Sequence, residues 1–434
     1  MTQSSLETEI NDYLTGFLLR YFRNAVKVGI MHPTLDPKRD VDLLRLHWAI
    51  SQSVRDLVNH LSQNRHDIQA VLETRRYEDD GRVRGRFDAR ATLIRRLVTG
   101  QPTLTVSHEP ARTFESGPNR VLIWVVESAW RLALHFDDLL PEGASYKAII
   151  EKHLPGLKEI RRFDAILQAT KRIDLTRRPG PQAVKEASRS RQKLYLLACK
   201  AYRELQLIEA GNSDSITRLL NDTLLGPLHF WQRYELVVAL AVTKALSVAL
   251  QQRFDLSFLG GGSEPVSRVG GYEVYWQVRT KAYKKPAPEP SEAMAEKLLK
   301  LYDLSSGADR PDVVVLDSKG KVVSVVEVKY SSNRESDGAD SLRSAVSQLV
   351  RYSRGYRPMA QIEKLLDHSI VAVSGHETGR MPVPKPFGLP LIVDFEDILQ
   401  HHLRYWADCL VEMNASGDSQ RVQAAQIGLF AARI

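Results

Sequence analysis

Apolar residues recur at helical spacing through the first half of the chain and give way to strand-like runs only after Leu250. Leu14, Leu18, Phe22 and Val26 repeat every four positions and residues 43–71 continue in that style, so residues 1–73 are expected to be helical. Pro118-Asn119-Arg120 opens an apolar helix running to Leu134, residues 138–160 form a loop and short helix, and Lys193 to Leu224 is helical again. Tyr234–Leu250 carries a buried stripe at Val238, Val242 and Leu246. It begins near an acid and contains Thr243 and Lys244, which predicts a buried helix and not a membrane span. After it come a hairpin through Val269-Gly270-Gly271-Tyr272 with a strand to Val278, strands at Ser369–Ser374 and Leu389–Val393, and helical sequence from Glu396. A helix starting at Asp340 or Ser341 stops near Gly355.

The richest stretch is Arg310 to Ser332, RPDVVVLDSKGKVVSVVEVKYSS, two β-branched runs around a turn with Gly near its centre. A two-residue turn at Lys319-Gly320 sets Asp317 opposite Val322, Val315 opposite Ser324, Val314 opposite Val325 and Asp312 opposite Glu327. Alternation then places Asp312, Val314, Leu316, Val323, Val325, Glu327 and Lys329 on one face, and Val313, Val315, Val322, Ser324, Val326 and Val328 on the other. Both faces are mainly apolar, so the hairpin belongs inside a covered sheet. Two opposed carboxylates, with β-carbons about 5 Å apart, repel one another. Buried and unpaired, each would cost several kcal/mol; a divalent cation removes both penalties, and Lys329 points into the same space. The plainer alternative makes Asp312 and Glu327 strand-end charges in water and Lys329 an edge cation.

With 434 residues, 43% of them hydrophobic, the chain can bury a large core in two or three domains. The N-terminus MTQSSLETEI is polar and acidic, unlike a signal peptide, and Cys199 and Cys409 form no spacing pattern; both fit core thiols in a reducing cytoplasm. No Gly-x4-Gly-Lys-Ser/Thr phosphate loop occurs. The net charge of +8 is concentrated: residues 161–200 hold eleven Lys or Arg, among them Arg177, Arg178, Arg189 and Arg191, against three acids. Such a stripe fits a phosphate backbone, or else a solvated connector around Pro179-Gly180-Pro181. His376, alone in its loop, has no metal-ligand spacing.

Pro311-Asp312 followed by Glu327-Val328-Lys329 across a short hairpin resembles the PD-(D/E)xK nuclease superfamily. The resemblance implies that Asp312 and Glu327 hold Mg²⁺ (Mn²⁺ substituting) with the carbonyl of Val328, and that Lys329 orients or deprotonates the attacking water. In that superfamily an acid on the preceding helix completes the metal site, and Glu235 occupies its place; its plainer role is to complement the helix dipole. Glu292 and Glu296 are rival acids. Gln348 and Tyr352, at i and i+4 on one helix face, resemble the Gln-x-x-x-Tyr element of RecB-type nucleases, which touches DNA near the metals; the plainer reading is a polar surface pair.

Upstream, GRVRGRFDARATLIRRL, ESGPNRVLIWVVESAWRLAL and YELVVALAVTKAL resemble, in order, stretches of McrC-like restriction subunits of McrBC-type systems. Together with the hairpin and the helix that follows it, they cover residues 80–360. Departures are Glu327 where that family commonly has Asp, and Pro118 before Asn119 where it prefers Glu. The segment through which such subunits grip an AAA+ NTPase is not recognisable.

The expectation is therefore a mainly α region at 1–224 that binds DNA or a partner, then an α/β restriction-endonuclease-like domain at 225–434. The implied function is a cytoplasmic, Mg²⁺-dependent DNA endonuclease of a restriction or anti-phage system, with an AAA+ NTPase supplied in trans and a second copy of the chain as candidate partners and no membrane association. Two alternatives stand beside it: an RNA nuclease, which nothing in the hairpin distinguishes, and a nucleic-acid-binding scaffold that assembles or stimulates the NTPase.

Overall fold

The computed structural model describes residues 3–28, 37–139, 147–256, 265–286, 294, 297, 310–330, 338–358, 361–374 and 388–416. The first half begins with helices α1 (Gln3–Val28), α2 (Pro37–Ala49) and α3 (Gln52–Gln63). It then departs from the helical expectation. Strand β1 (Val71–Asp80), the two-residue β2 (Arg86–Phe87), helix α4 (Ala89–Thr99) and strand β3 (Leu104–Thr113) form a three-stranded antiparallel sheet in the order β1-β3-β2, with α4 against β3. β1 and β3 pair along their whole length, from Val71 opposite Thr113 to Asp80 opposite Leu104. Their sequences, VLETRRYEDD and LTVSHEPART, lack a sustained apolar alternation because this sheet buries little, so the pattern from which strands are inferred is missing.

Helices α5 (Gly117–Leu139), α6 (Lys147–Ile160), α7 (Asp164–Thr170), α8 (Pro181–Ser188), α9 (Lys193–Glu209) and α10 (Ser213–Leu220) complete the helical half. The Pro-Asn-Arg stretch acts here as a clasp. Buried Asn119, in the first turn of α5, donates through Nδ2 to the carbonyls of Gln69 (2.8 Å) and Phe114 (3.0 Å) and accepts from the Tyr195 hydroxyl (2.7 Å). Gln69 precedes β1 and Phe114 follows β3, so one side chain fastens both ends of the small sheet to the helices. In the Gly-Arg turn, Gly85 has φ +67°, and a Cβ there would lie 2.6 Å from the His108 carbonyl oxygen, so any other residue is excluded sterically.

The second half starts with the long apolar helix α11 (Phe230–Leu250) and strands β4 (Phe254–Leu256), β5 (Ser267–Val269) and β6 (Tyr272–Trp276). The expected Gly270-Gly271 turn joins β5 to β6, both glycines having positive φ. Then follow β7 (Val313–Leu316), β8 (Val322–Tyr330), α12 (Gly338–Tyr356), α13 (Ile362–Leu366), β9 (Ile370–Ser374), β10 (Leu391–Val393), α14 (Phe395–Leu399) and α15 (Leu403–Ser416). The seven strands form one mixed sheet in the order β10-β9-β8-β7-β6-β5-β4. β4 to β8 are antiparallel, and β9 and β10 add in parallel after the α12 crossover. Helices α1, α11 and α15 cover one face of the sheet and α12 and α13 the other, which is why every residue of β7 and the first seven of β8 are buried.

The hairpin is right in register near its base and different at its tip. Val314 pairs with Val325 and Val315 with Ser324, as counted from sequence, but Leu316 pairs with Val322 across a bulge. The turn is a longer loop in which Asp317 N–H donates to the Lys321 carbonyl (2.9 Å) while the Asp317 carboxylate accepts from the N–H groups of Lys319 and Lys321. The extra residue in the bulge turns Val323 to the α11 face and Val322 to the α12 face, the reverse of strict alternation. One further boundary differs: β6 stops at Trp276 and not Val278. Leu6, Ile10 and Leu14 of α1 share one hydrophobic core with α11 and the sheet. No described helix is long and apolar enough to cross a membrane. Neither Cys199, which is buried, nor Cys409, which is half-buried, takes part in a disulfide.

Candidate active site

The ends of β6, β7 and β8 bring the acids together between α11 and α12. Asp312 stands just before β7; its Oδ2 accepts from the Val328 N–H (2.8 Å) and its carbonyl from the Gln277 N–H (2.7 Å). Glu327, on the α12 face of β8, is 1% exposed. Its Oε1 accepts from Lys329 Nζ (2.6 Å), whereas Oε2 has no hydrogen-bond partner. Lys329 Nζ also donates to Gln348 Oε1 on α12 (2.6 Å), so strand and helix share one ammonium group. Tyr352, one turn further along α12, is buried beside these groups, and burial with the charges of Glu327 and Asp312 raises its phenol pKa.

Glu235 approaches from α11. Its Oε2 accepts from Trp276 Nε1 (3.0 Å) and Gln277 Nε2 (2.6 Å). Gln277 is a junction: its side-chain oxygen also accepts from Arg310 Nη2 (2.9 Å), and its backbone has φ +54°, a left-handed conformation that non-glycine residues avoid. Nothing in its sequence surroundings marks Gln277; only the end of a strand beside two acids gives it a role.

Burial pushes Glu235 and Glu327 far above the ordinary carboxylate range, to about 8, with the charge of Asp312 adding to both and Lys329 opposing the rise at Glu327. Asp312 is raised by burial too, against the pull of the Val328 N–H and Lys329. Three acids thus confront one ammonium in a desolvated space, and each deprotonation makes the next harder. The arrangement favours either a shared proton or a cation. Among the described residues no three His, Cys, Asp or Glu side chains converge as a ready-made metal cage. The donor set that does fit a cation is the partnerless Glu327 Oε2 with the facing carboxyl of Asp312, both hard oxygen ligands.

Of the sequence candidates, Asp312, Glu327, Val328, Lys329, Glu235, Gln348 and Tyr352 therefore assemble, and Gln348 touches Lys329 directly. Arg177, Arg178, Arg189 and Arg191 do not join them; they belong to the α7–α9 region, which packs on α3 and α5. Arg178 departs furthest from a free phosphate contact: it forms a two-pronged ion pair with Glu209 (2.6 and 2.7 Å) beneath the Trp124 ring. Arg161 is likewise taken up by the buried Glu127 (2.7 Å). Arg177 meets Asp174 at 3.5 Å in solvent, and Arg189 and Arg191 are exposed. Glu292, Glu296 and His376 lie outside the described residues.

No family model matches this chain, and no curated protein matches it. A search of solved structures aligns it with a chain of the half-complex from the tetradecameric assembly of Thermococcus gammatolerans McrB AAA+ hexamers with bound McrC. That alignment covers 91% of this chain and 75% of the other, at 11% identity and a TM-score of 0.22.

Proposed function

We propose that this chain is a divalent-metal-dependent nuclease that hydrolyses phosphodiester bonds in DNA, as part of a restriction or phage-defence system. The observation that carries the reading is Glu327: a carboxylate at 1% exposure, one oxygen on Lys329 and the other without a partner, facing the carboxyl of Asp312. A protein that needed only stability would gain by replacing such a group with an apolar one. The mixed sheet with its acids at the ends of β6–β8 and helices on both faces supports a restriction-endonuclease-like assignment of residues 225–434.

Asp312 and Glu327 would hold Mg²⁺ with the carbonyl of Val328, and Glu235, which does not converge with them in the metal-free chain, would complete the set on binding. Bound there, the cation would supply a more acidic water and offset charge on the scissile phosphate. Lys329, fixed by Glu327 and Gln348, orients the attacking water in line with the leaving oxygen and donates to the phosphate as charge builds. Trp276 and Gln277 keep Glu235 from swinging away. The McrC-like resemblance adds an AAA+ NTPase in trans as the partner.

The test is incubation of the purified chain with supercoiled plasmid and with RNA, each with Mg²⁺ or Mn²⁺, beside Lys329→Ala. Metal-dependent nicking by the wild type alone is the expected result. Cutting of RNA with plasmid intact would move the substrate to RNA, and no metal-dependent cutting of either would reject the nuclease assignment.

A further inference from the structure

Beyond β6 the chain does not continue the sheet. The left-handed Gln277 turns it outward, and the next residues dock on the end of α12. Tyr283 N–H donates to the Thr280 carbonyl (3.0 Å), Lys284 N–H donates to the Gly355 carbonyl (2.9 Å), and Thr280 is buried. The Tyr283 ring lies directly on Gly355, where a Cβ would collide with it, and packs edge-on against Tyr356 (5.2 Å between centroids). The loop is thus tied at one end to Glu235 and Asp312 through Gln277 and at the other to the helix carrying Gln348 and Tyr352. Within residues 277–286 there is no acid, and Arg279, Lys281, Lys284 and Lys285 are all exposed.

We propose that this loop is the track on which the sugar–phosphate backbone of a nucleic-acid strand enters the Asp312–Glu327–Lys329 site. The proposal rests on the nuclease reading and adds a binding surface to it. The physical need is plain: a site built of acids offers a polyanion no attraction of its own, so a strand approaching it requires cations beside the site and not remote from it. The loop leaves the site at Gln277 and presents Lys281 and Lys284 to solvent on a scaffold pinned at both ends, so little ordering entropy is lost when a strand binds. The denser basic segment at 161–200 does not meet this need, since Arg161 and Arg178 are committed to Glu127 and Glu209 and the segment packs on α3 and α5.

The test uses the full chain in EDTA, where cleavage is silent. Fluorescently labelled single-stranded DNA, duplex DNA and RNA of one sequence are titrated by anisotropy over a range of KCl. For whichever binds most tightly, K281E/K284E is expected to weaken binding by about tenfold or more and to flatten the slope of log affinity against log salt by roughly 1.5, the value for two lost phosphate contacts. R189E/R191E is expected to change affinity by less than about threefold. Should K281E/K284E melt below the wild type, K281Q/K284Q is expected to show the same flattening. An unchanged slope in the lysine variants, or a larger loss in R189E/R191E, would overturn the track. The two readings fail separately. Salt-sensitive, lysine-dependent binding without Mg²⁺-dependent cleavage would leave the track and remove the nuclease, whereas wild-type cleavage rates in K281E/K284E would do the reverse.

Discussion

Gln277 Nε2 donates to Glu235 Oε2 at 2.6 Å, and this bond couples the first turns of α11 to the point where the chain leaves the sheet. The residue that makes it also donates its backbone N–H to Asp312 and holds φ +54°, a conformation that costs a non-glycine residue about 1–2 kcal/mol. That strain sits beside three acids, where the Gln277 side chain holds one of them.

Gln277→Gly and Gln277→Ala separate the two contributions. Both lose the bond to Glu235, but only Ala keeps the left-handed strain, so the Gly variant is expected to be more stable than the Ala variant by about 1 kcal/mol in urea unfolding. Both are expected to cleave about tenfold to a hundredfold more slowly, because Glu235 is no longer held. Equal stability of the two variants would show that the left-handed backbone carries no cost.

Metal-free stability should depend on pH in a defined direction. Glu235 and Glu327 are raised to about 8 in the folded state, so between the ordinary carboxylate range and pH 8 the folded chain binds more protons than the unfolded one. Stability from these groups is therefore fully present below about pH 4.5 and falls as pH rises towards 8. Thermal melts in EDTA are expected to drop over that window, Glu327→Gln to flatten the drop, and Mg²⁺ to raise the melting temperature more at pH 8 than at pH 6. A Mg²⁺ effect independent of pH would contradict the placement of the cation at these acids.

Lys329→Ala is expected to lower cleavage by about 10²- to 10⁴-fold, the scale of a lost proton-transfer or charge-stabilising group, while leaving nucleic-acid affinity in EDTA nearly unchanged. Gln348→Ala removes only the partner that fixes the ammonium group, and a smaller loss is expected. If Gln348→Ala instead weakens binding and leaves single-turnover rates intact, its role is contact with the strand and not positioning of Lys329.

Neighbouring arginines should behave differently. Arg178→Ala breaks a two-pronged pair with Glu209, whose side chain is 13% exposed; because Arg178 itself is 46% exposed and screened, roughly 1 kcal/mol of stability is at stake. Arg177, 88% exposed, is expected to change stability by less than about 0.5 kcal/mol. Denaturation midpoints of the two variants compare them directly.

The sequence alone determined the elements whose cause is local. The apolar run of α11, the Gly270-Gly271 turn and the base of the β7–β8 hairpin follow from side-chain spacing and turn chemistry, and the pairing of Val314 with Val325 already implies that Asp312 and Glu327 meet. Lys329 falls on the Glu327 face by alternation, and Gln348 and Tyr352 share a helix face by periodicity. What tertiary structure decided has no local signature. The bulge that exchanges Val322 and Val323 arises from a loop held by the Asp317 carboxylate, and β1 and β3 pair through their backbones without an apolar pattern. The role of Gln277 depends on a helix more than forty residues upstream. Arg178 is the same lesson in reverse: charge density singled it out for a phosphate, and only the fold shows Glu209 within 2.6 Å of it.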